Sequence, residues 1–148
     1  MSNIINSATG KTPEPMHEYL IVEKCGLKIG LLGLVEGDWI ATIPSFPENF
    51  KHQPMAERAR ELSSKLRGEL GCDLVVGLTH SRLGNDIKLA NDVGAVKWTE
   101  DDTDRPEGLD LILGGHDHGY YIGRGTDNWK NWDRPDDLPG TEDDRDCL

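Results

Sequence analysis

Cysteines and aromatic residues are scarce in this chain, and the cysteine pattern bears on how the chain is stabilised. The 148 residues include three cysteines and 6% aromatic residues, and a prior of roughly 100–200 residues per domain allows a single domain. The cysteines (Cys25, Cys72 and Cys147) are isolated, odd in number and without CxxC spacing. We therefore expect a reducing compartment and no disulfide framework.

Long apolar runs and basic residues are also lacking. No apolar run approaches the roughly 18–20 residues that a membrane helix requires, which excludes a transmembrane helix. The polar first ten residues lack the basic-then-apolar order of a signal peptide, so we expect a cytoplasmic protein that does not contact membranes. Sixteen basic residues against 27 acidic residues give a net charge of −11. An acidic surface of this kind disfavours nucleic-acid binding.

Composition divides the chain into three parts. Residues 1–17 begin with a polar stretch that contains two prolines and four Ser or Thr, and we expect a disordered lead. Residues 126–148 combine eight acidic residues with three basic ones, which is typical of an acidic, solvated tail. The folded domain is expected to occupy residues 18–125.

The ordered middle of the chain alternates short apolar runs with amphipathic segments. The first two runs are separated by Lys24-Cys25-Gly26 and predict a β-hairpin. Continuous apolar strands alternating with helices indicate an α/β fold in which both faces of the sheet are covered. The predicted strands span Tyr19–Val22, Lys28–Val35, Asp73–Leu78 and Leu109–Leu113, and the predicted helices span Met55–Leu70, which Gly71 ends, and Leu83–Asp92.

Three of the five histidines follow predicted buried strands. His80 ends the run that begins at Asp73, and His116 and His118 follow the Leu109–Leu113 strand in the sequence GGHDH. In open α/β sheets, ligands bind beyond the carboxyl ends of the strands, and paired imidazoles suit zinc, manganese or iron. His17 and His52 stand beside prolines in loop-like sequence, and we expect both to be solvated and far from the other three.

Histidines at strand ends also occur as polar caps or half-buried residues without any function. A purely structural role for these histidines therefore remains the alternative to a metal site. Several other histidine-based chemistries are excluded by missing motifs. The chain has no HxHxDH metallo-β-lactamase motif and no PCxxC deaminase motif. It also lacks the GxSxG nucleophile elbow and the GxxxxGK[ST] phosphate loop.

Three blocks in order resemble the calcineurin-like metallophosphoesterases, and among them the 5'-nucleotidase branch. The first block is the apolar strand Ile29–Glu36 followed by Trp39 and Thr42. The second is a THxR…ND…LA segment that begins at Thr79, and the third is the GGHDH turn. The resemblance runs from about Glu18 to Gly125 and implies the distal half of that family's α/β sandwich, in an incomplete form.

The resemblance also implies residue roles. In the complete family enzyme, two divalent metal ions (zinc, manganese or iron) hydrolyse phosphate esters, and a phosphate ester or nucleotide is the expected substrate. The matched positions imply that His80 and His116 bind one metal ion and that His118 binds the other. Asp117 is expected to orient an imidazole or to face solvent. Arg82 and Asn85 are weaker candidates for contact with substrate, and we expect Arg82 to pair with an acidic residue instead.

The sequence departs from the family pattern in its metal ligands. No Asp stands two residues before any His, Gly37-Asp38 has no second Asp after it, and Gly84-Asn85 is followed by Asp86 rather than His. The DxH, GDxxD and GNH motifs of the family are therefore not found. We expect a fragment that binds at most one metal ion and whose partner is the missing half of the domain. The alternative is a catalytically inactive binding or regulatory remnant of the family.

Overall fold

The computed structural model describes residues 1–95 and 108–118, which form two β-sheets and three helices. The acidic tail predicted over residues 126–148 lies outside the described residues. Among those described, no helix has the length and apolar character needed to cross a membrane. The strands are β1 (Ile4–Asn6), β2 (Leu20–Lys24), β3 (Leu27–Val35), β4 (Phe50–His52), β5 (Leu74–His80) and β6 (Leu111–Leu113), and the helices are α1 (Gly37–Ile40), α2 (Met55–Gly68) and α3 (Leu83–Val93).

The larger sheet has the strand order β2-β3-β5-β6. β2 and β3 form the predicted antiparallel hairpin, and its turn places Cys25 at φ 53° and Gly26 at φ 80°. Two successive residues with positive φ are characteristic of the tight hairpin turns that match strand twist. β3 pairs parallel with β5, and β5 pairs parallel with β6. The strands that lead to His80 and His116 are therefore parallel neighbours.

Helices α2 and α3 cover one face of this sheet. Leu62 and Leu66 of α2 are buried to 1% and 0% exposure and pack in one core cluster with Leu32, Val75 and Leu89. The predicted amphipathic helix over residues 55–70 is observed from Met55 to Gly68. Its apolar face points to the sheet because its neighbouring apolar residues lie three and four positions apart.

The amino-terminal residues are ordered, whereas the sequence predicts a disordered lead over residues 1–17. Ser2, Asn3 and Ile4 are 0–2% exposed, and β1 pairs antiparallel with β4. Ser2 donates its backbone N–H to the carbonyl of Gly33 at 2.6 Å. The Asn3 side chain donates to the Val35 carbonyl at 2.8 Å and accepts from the Val35 N–H at 3.1 Å. These two residues thus bind the edge of β3 beyond Leu31, where its pairing with β2 stops.

The second face of the larger sheet is apolar and open in the part of the chain that the structure describes. The sequence predicts a sheet that is covered on both faces, whereas within the described residues the side chains opposite the helices include five leucines that are 40–52% exposed. Contiguous apolar surface of this kind is uncommon on a soluble monomer and indicates a surface that another element covers. We refer to these residues as the open face: Leu20, Leu27, Leu78, Leu111 and Leu113.

We expect the open face to make the isolated chain self-associate. The double substitution Leu78→Ser and Leu113→Ser removes two neighbouring leucines, which the parallel register places opposite each other. It should lower both the binding of a hydrophobic dye and the apparent mass measured by light scattering, because apolar area is removed without a buried contact being lost.

The matched control is Leu62→Ala on the covered face. It should cost roughly 2–5 kcal/mol of unfolding free energy, as buried leucine truncations do, and it should not reduce association. A wild-type chain that stays monomeric and binds no dye would contradict the prediction.

Candidate functional site

Three strand ends meet at one edge of the larger sheet and bring the candidate residues together. β3 is followed by Glu36, β5 ends with His80, and β6 leads through two glycines to His116. Pairing continues past the strands, since Glu36 donates its N–H to the His80 carbonyl at 3.2 Å and Ser81 donates its N–H to the Gly115 carbonyl at 3.1 Å. The loops that carry the polar side chains are therefore held by the sheet itself.

The imidazoles of His80 and His116 are adjacent. Nδ1 of His116 lies 3.1 Å from Nε2 of His80, and the ring centroids are 4.7 Å apart. The indole of Trp39 meets His80 edge-on at a centroid distance of 5.1 Å. The resemblance implies that these two histidines bind one metal ion, and the structure brings their rings into direct contact.

The turn that carries His116 has an unusual backbone. His116 has a φ of 115° and His118 a φ of 54°, a region that side chains other than glycine rarely adopt. A Cβ at Gly114 would lie 2.6 Å from Oδ2 of Asp86, so a larger residue there requires the Asp86 side chain to move. Such conformations cost of order 1–3 kcal/mol and concentrate at functional sites.

Glu36 is the buried carboxylate of the site, with 3% exposure. Its Oε2 accepts hydrogen bonds from Asn85 Nδ2 at 2.6 Å, the Arg82 backbone N–H at 3.0 Å and the Ser81 hydroxyl at 3.3 Å. Its Oε1 is buried, has no hydrogen-bond partner within the described residues and lies 3.8 Å from Nε2 of His116. Burial acts to raise the pKa of Glu36, but the hydrogen bonds from Asn85 and Arg82 outweigh it and hold that pKa below its usual value.

Glu36 enters the sequence pattern only as the last residue of a motif block, and its place in the site was not predicted. The signal was present, because Glu36 directly follows a buried parallel strand, which is the same position that singles out His80. A carboxylate that ends an apolar run is costly to bury unless polar groups surround it. An acidic residue directly after a buried strand is therefore a candidate site residue, just as a histidine in that position is.

The weaker sequence candidates take positions around this carboxylate. Asn85 donates to it, as described above. Nε of Arg82 lies 3.9 Å from Oε1 of Glu36, and Nη1 of Arg82 lies 3.9 Å from Oδ2 of Asp38. These contacts are in line with the expected pairing of Arg82 with an acid. Asp117 accepts the backbone N–H of Leu83 at 2.7 Å, and a carboxylate is favourable at this first residue of α3. It thus holds the GGHDH turn to the helix.

The remaining three histidines differ in their exposure. His118 is exposed at the end of the turn, and His17 is also exposed. His52 differs from the solvated loop residue expected from the sequence: it lies in β4, is half-buried, and its Nε2 is 2.9 Å from the Val35 carbonyl and 3.1 Å from Asn3 Nδ2. These partners explain its burial.

The histidine pair fits a divalent cation in part. Two nitrogens bound to one zinc ion at ~2.0–2.1 Å lie about 3.3 Å apart in a tetrahedral site, and the observed 3.1 Å is close to that separation. Within residues 1–95 and 108–118, however, no group of three His, Cys, Asp or Glu side chains is arranged to hold a metal ion. The described residues therefore place two imidazole nitrogens at a spacing that matches a shared ion.

Comparisons with known proteins agree with the fold. No family model matches the chain. The chain is 25% identical over 135 residues to the cell wall protein Lmo0130 of Listeria monocytogenes and 27% identical over 112 residues to the trifunctional nucleotide phosphoesterase YfkN of Bacillus subtilis. These alignments cover 82% and 76% of this chain.

Among solved structures, the chain resembles the NAD nucleotidase NadN of Haemophilus influenzae, with a TM-score of 0.61 and 19% identity over 84% of this chain. The resemblance to 5'-nucleotidase-type metallophosphoesterases that the motifs predict is confirmed, as is the α/β fold as an incomplete part of that sandwich. The chain spans only 17% and 7% of the two relatives and 19% of the NadN chain. The activity of a complete enzyme is therefore a matter of proposal.

Asp86 gives the site region a testable pH dependence. Burial raises the pKa of Asp86, the hydroxyls of Thr79 and Ser81 act in the opposite direction, and the carboxylates of Glu36 and Asp117 add to the rise. A carboxyl group whose pKa is higher in the folded state favours folding below its unfolded pKa and loses that contribution as the pH rises through its folded pKa. Asp86→Asn should therefore raise the unfolding temperature at pH 7 relative to wild type, and the gain should vanish near pH 3.

Thermal unfolding of wild type and Asp86→Asn between about pH 3 and pH 7 measures this difference in unfolding temperature directly. Asp38→Asn is the matched control, because Asp38 is an acid with a side chain that is 76% exposed. The difference in unfolding temperature between Asp38→Asn and wild type should not depend on pH. An Asp86→Asn variant that is less stable than wild type at pH 7 would contradict the prediction.

Proposed function

We propose that this chain carries part of the metal centre of a phosphoesterase that hydrolyses phosphate monoesters, nucleotides among them. The observation that supports this most directly is the facing of His80 Nε2 and His116 Nδ1 at 3.1 Å, at the carboxyl edge of a parallel sheet. One relative is named a nucleotide phosphoesterase and the structural neighbour an NAD nucleotidase, which favours a nucleotide as substrate.

In this proposal His80 and His116 bind one divalent ion, and His118 extends from the same turn toward a second ion. Divalent ions supply charge stabilisation and activation of the phosphate ester. The remaining residues act on the ligands: Glu36 and Asp117 hold the histidine loops, and Arg82 balances the acidic side chains beside it. The proposed metals are zinc, manganese or iron, all of which accept imidazole nitrogen.

We further propose that this chain holds at most one ion by itself. Its sequence contains no DxH, GDxxD or GNH motif, so the carboxylate and amide ligands of a two-metal centre come from additional polypeptide. The open face of the sheet supports this, because it offers an apolar surface that such polypeptide can cover. The missing half of the domain is accordingly the partner that the proposal requires.

Metal binding by the chain alone is the first test. Titration with cobalt, followed by its visible absorption, should show binding near one equivalent in the wild-type protein. His80→Ala and His116→Ala should each weaken that binding by tenfold or more, because each removes one of two nitrogen ligands. His17→Ala is the control and should bind as wild type does, since His17 is exposed and lies in the loop before β2.

Equal cobalt binding by wild type, His80→Ala and His116→Ala would overturn the assignment of the metal site. A folded wild-type chain that binds no cobalt would instead favour the inactive remnant. Circular dichroism of every variant establishes that the fold is retained.

The second test is turnover. With p-nitrophenyl phosphate and added manganese or zinc, the isolated chain should show little hydrolysis above buffer, because a single ion does not stabilise both the attacking and the leaving oxygen. Robust turnover that His116→Ala abolishes would show instead that the described residues suffice and that no further ligands are needed.

A further inference from the structure

We propose that Glu36 is a positioning residue that fixes the tautomer of His116, so that the Nδ1 lone pair of His116 faces the metal ion. This inference rests on the proposed function for the identity of the ion, while the tautomer itself is a property of the metal-free chain. Nothing in the family motifs assigns this role to Glu36. The tautomer depends on which ring nitrogen of His116 faces which neighbour.

The two nitrogens of His116 face chemically different groups. Nε2 lies 3.8 Å from Glu36 Oε1, and Nδ1 lies 3.1 Å from His80 Nε2. An ionised carboxylate only accepts hydrogen bonds, whereas a neutral imidazole has one donor and one acceptor nitrogen. The proton of His116 is therefore favoured on Nε2, which leaves Nδ1 as the lone pair that points into the space next to His80.

Glu36 is suited to this task because only one of its oxygens is still available. Three donors occupy Oε2, whereas Oε1 is buried and has no hydrogen-bond partner within the described residues. A buried acceptor without a donor is unfavourable, because burial has removed its hydrogen bonds to water. The Nε2–H group of His116 can relieve this cost. Arg82 Nε is at 3.9 Å from the same oxygen, but its side chain is 62% exposed and solvated.

The present separation exceeds an ordinary hydrogen bond by about 1 Å. Hydrogen bonds of this kind are often long before the ligand arrives and shorten in the complex. Tilting of the His116 ring toward Glu36 would shorten this contact while Nδ1 keeps facing the neighbourhood of His80. The carboxylate itself is fixed, since Asn85, Ser81 and the Arg82 N–H hold Oε2 from three sides.

A carboxylate that orients a metal-bound histidine typically changes metal affinity by 10–100-fold. Glu36 would act in this way and not as a direct ligand, since its Oε1 faces Nε2 of His116 whereas the ion is proposed at Nδ1. Its effect should therefore appear in metal affinity and in the tautomer of His116, both of which can be read without any catalytic assay.

The first measurement uses the wild-type, metal-free chain. Long-range ¹H–¹⁵N correlation spectra at about pH 8, above the usual histidine pKa of about 6.5, identify which nitrogen of each imidazole carries the proton. Resonances of His116 are assigned by comparison with His116→Ala. We expect the Nε2–H tautomer, and a predominant Nδ1–H tautomer would overturn the inference.

The second measurement compares Glu36→Gln with Asp38→Asn, which removes the same charge from a side chain that is 76% exposed. In Glu36→Gln, the three donors at the former Oε2 keep the amide oxygen in place, so the new NH₂ group faces His116 Nε2 and forces that nitrogen to accept. We expect the Nδ1–H tautomer in Glu36→Gln and cobalt binding at least tenfold weaker than in wild type. Asp38→Asn should match wild type in both readouts.

The outcomes separate this inference from the proposed function. Unchanged cobalt affinity and an unchanged tautomer in a folded Glu36→Gln protein would overturn the inference even if the histidines bind metal. The expected tautomers without any cobalt binding in wild type would support the role of Glu36 toward His116 and contradict the proposed metal site. If Glu36→Gln does not fold, the wild-type tautomer decides the matter.

Discussion

Parallel pairing of β3, β5 and β6 is the constraint on which the candidate site depends. The register aligns Val35 with His80 and Leu78 with Leu113, so the three strands end at the same edge of the sheet. Residues far apart in the sequence therefore end within contact distance, although no short motif contains both Glu36 and His116. The separation of the strands in a sheet, about 4.8 Å, is small enough for neighbouring loops to share one site.

Around this edge the polar groups form a connected set with Glu36 at its centre. The carboxylate binds the start of the segment after β5 through the Ser81 hydroxyl and the Arg82 N–H, and it binds the first turn of α3 through Asn85. Asp117 connects the GGHDH turn to the first residue of the same helix. A buried charge is tolerated here because donors surround it, and the same donors make its position rigid.

The two faces of the sheet differ in a way that bears on function. Helices α2 and α3 bury one face, whereas the leucines of the open face remain 40–52% exposed. The relatives are several times longer than this chain. The proposal that this chain works with further polypeptide accounts for the uncovered apolar layer and for the greater length of the relatives.

Local patterns in the sequence determined the elements and their chemistry. The apolar runs, the Cys25-Gly26 turn and the spacing of Ala59, Leu62 and Leu66 depend on neighbours within a few residues, so the hairpin, the parallel strands and the main helix could be predicted. The same patterns placed His80 and His116 at strand ends. Only the tertiary structure decided that Ser2 and Asn3 are buried against β3, that His52 is half-buried, and that Glu36 lies beside His116. Each of these contacts joins segments that are more than 15 residues apart in the sequence. Local periodicity does not predict which distant backbone group forms a hydrogen bond with a given donor or acceptor.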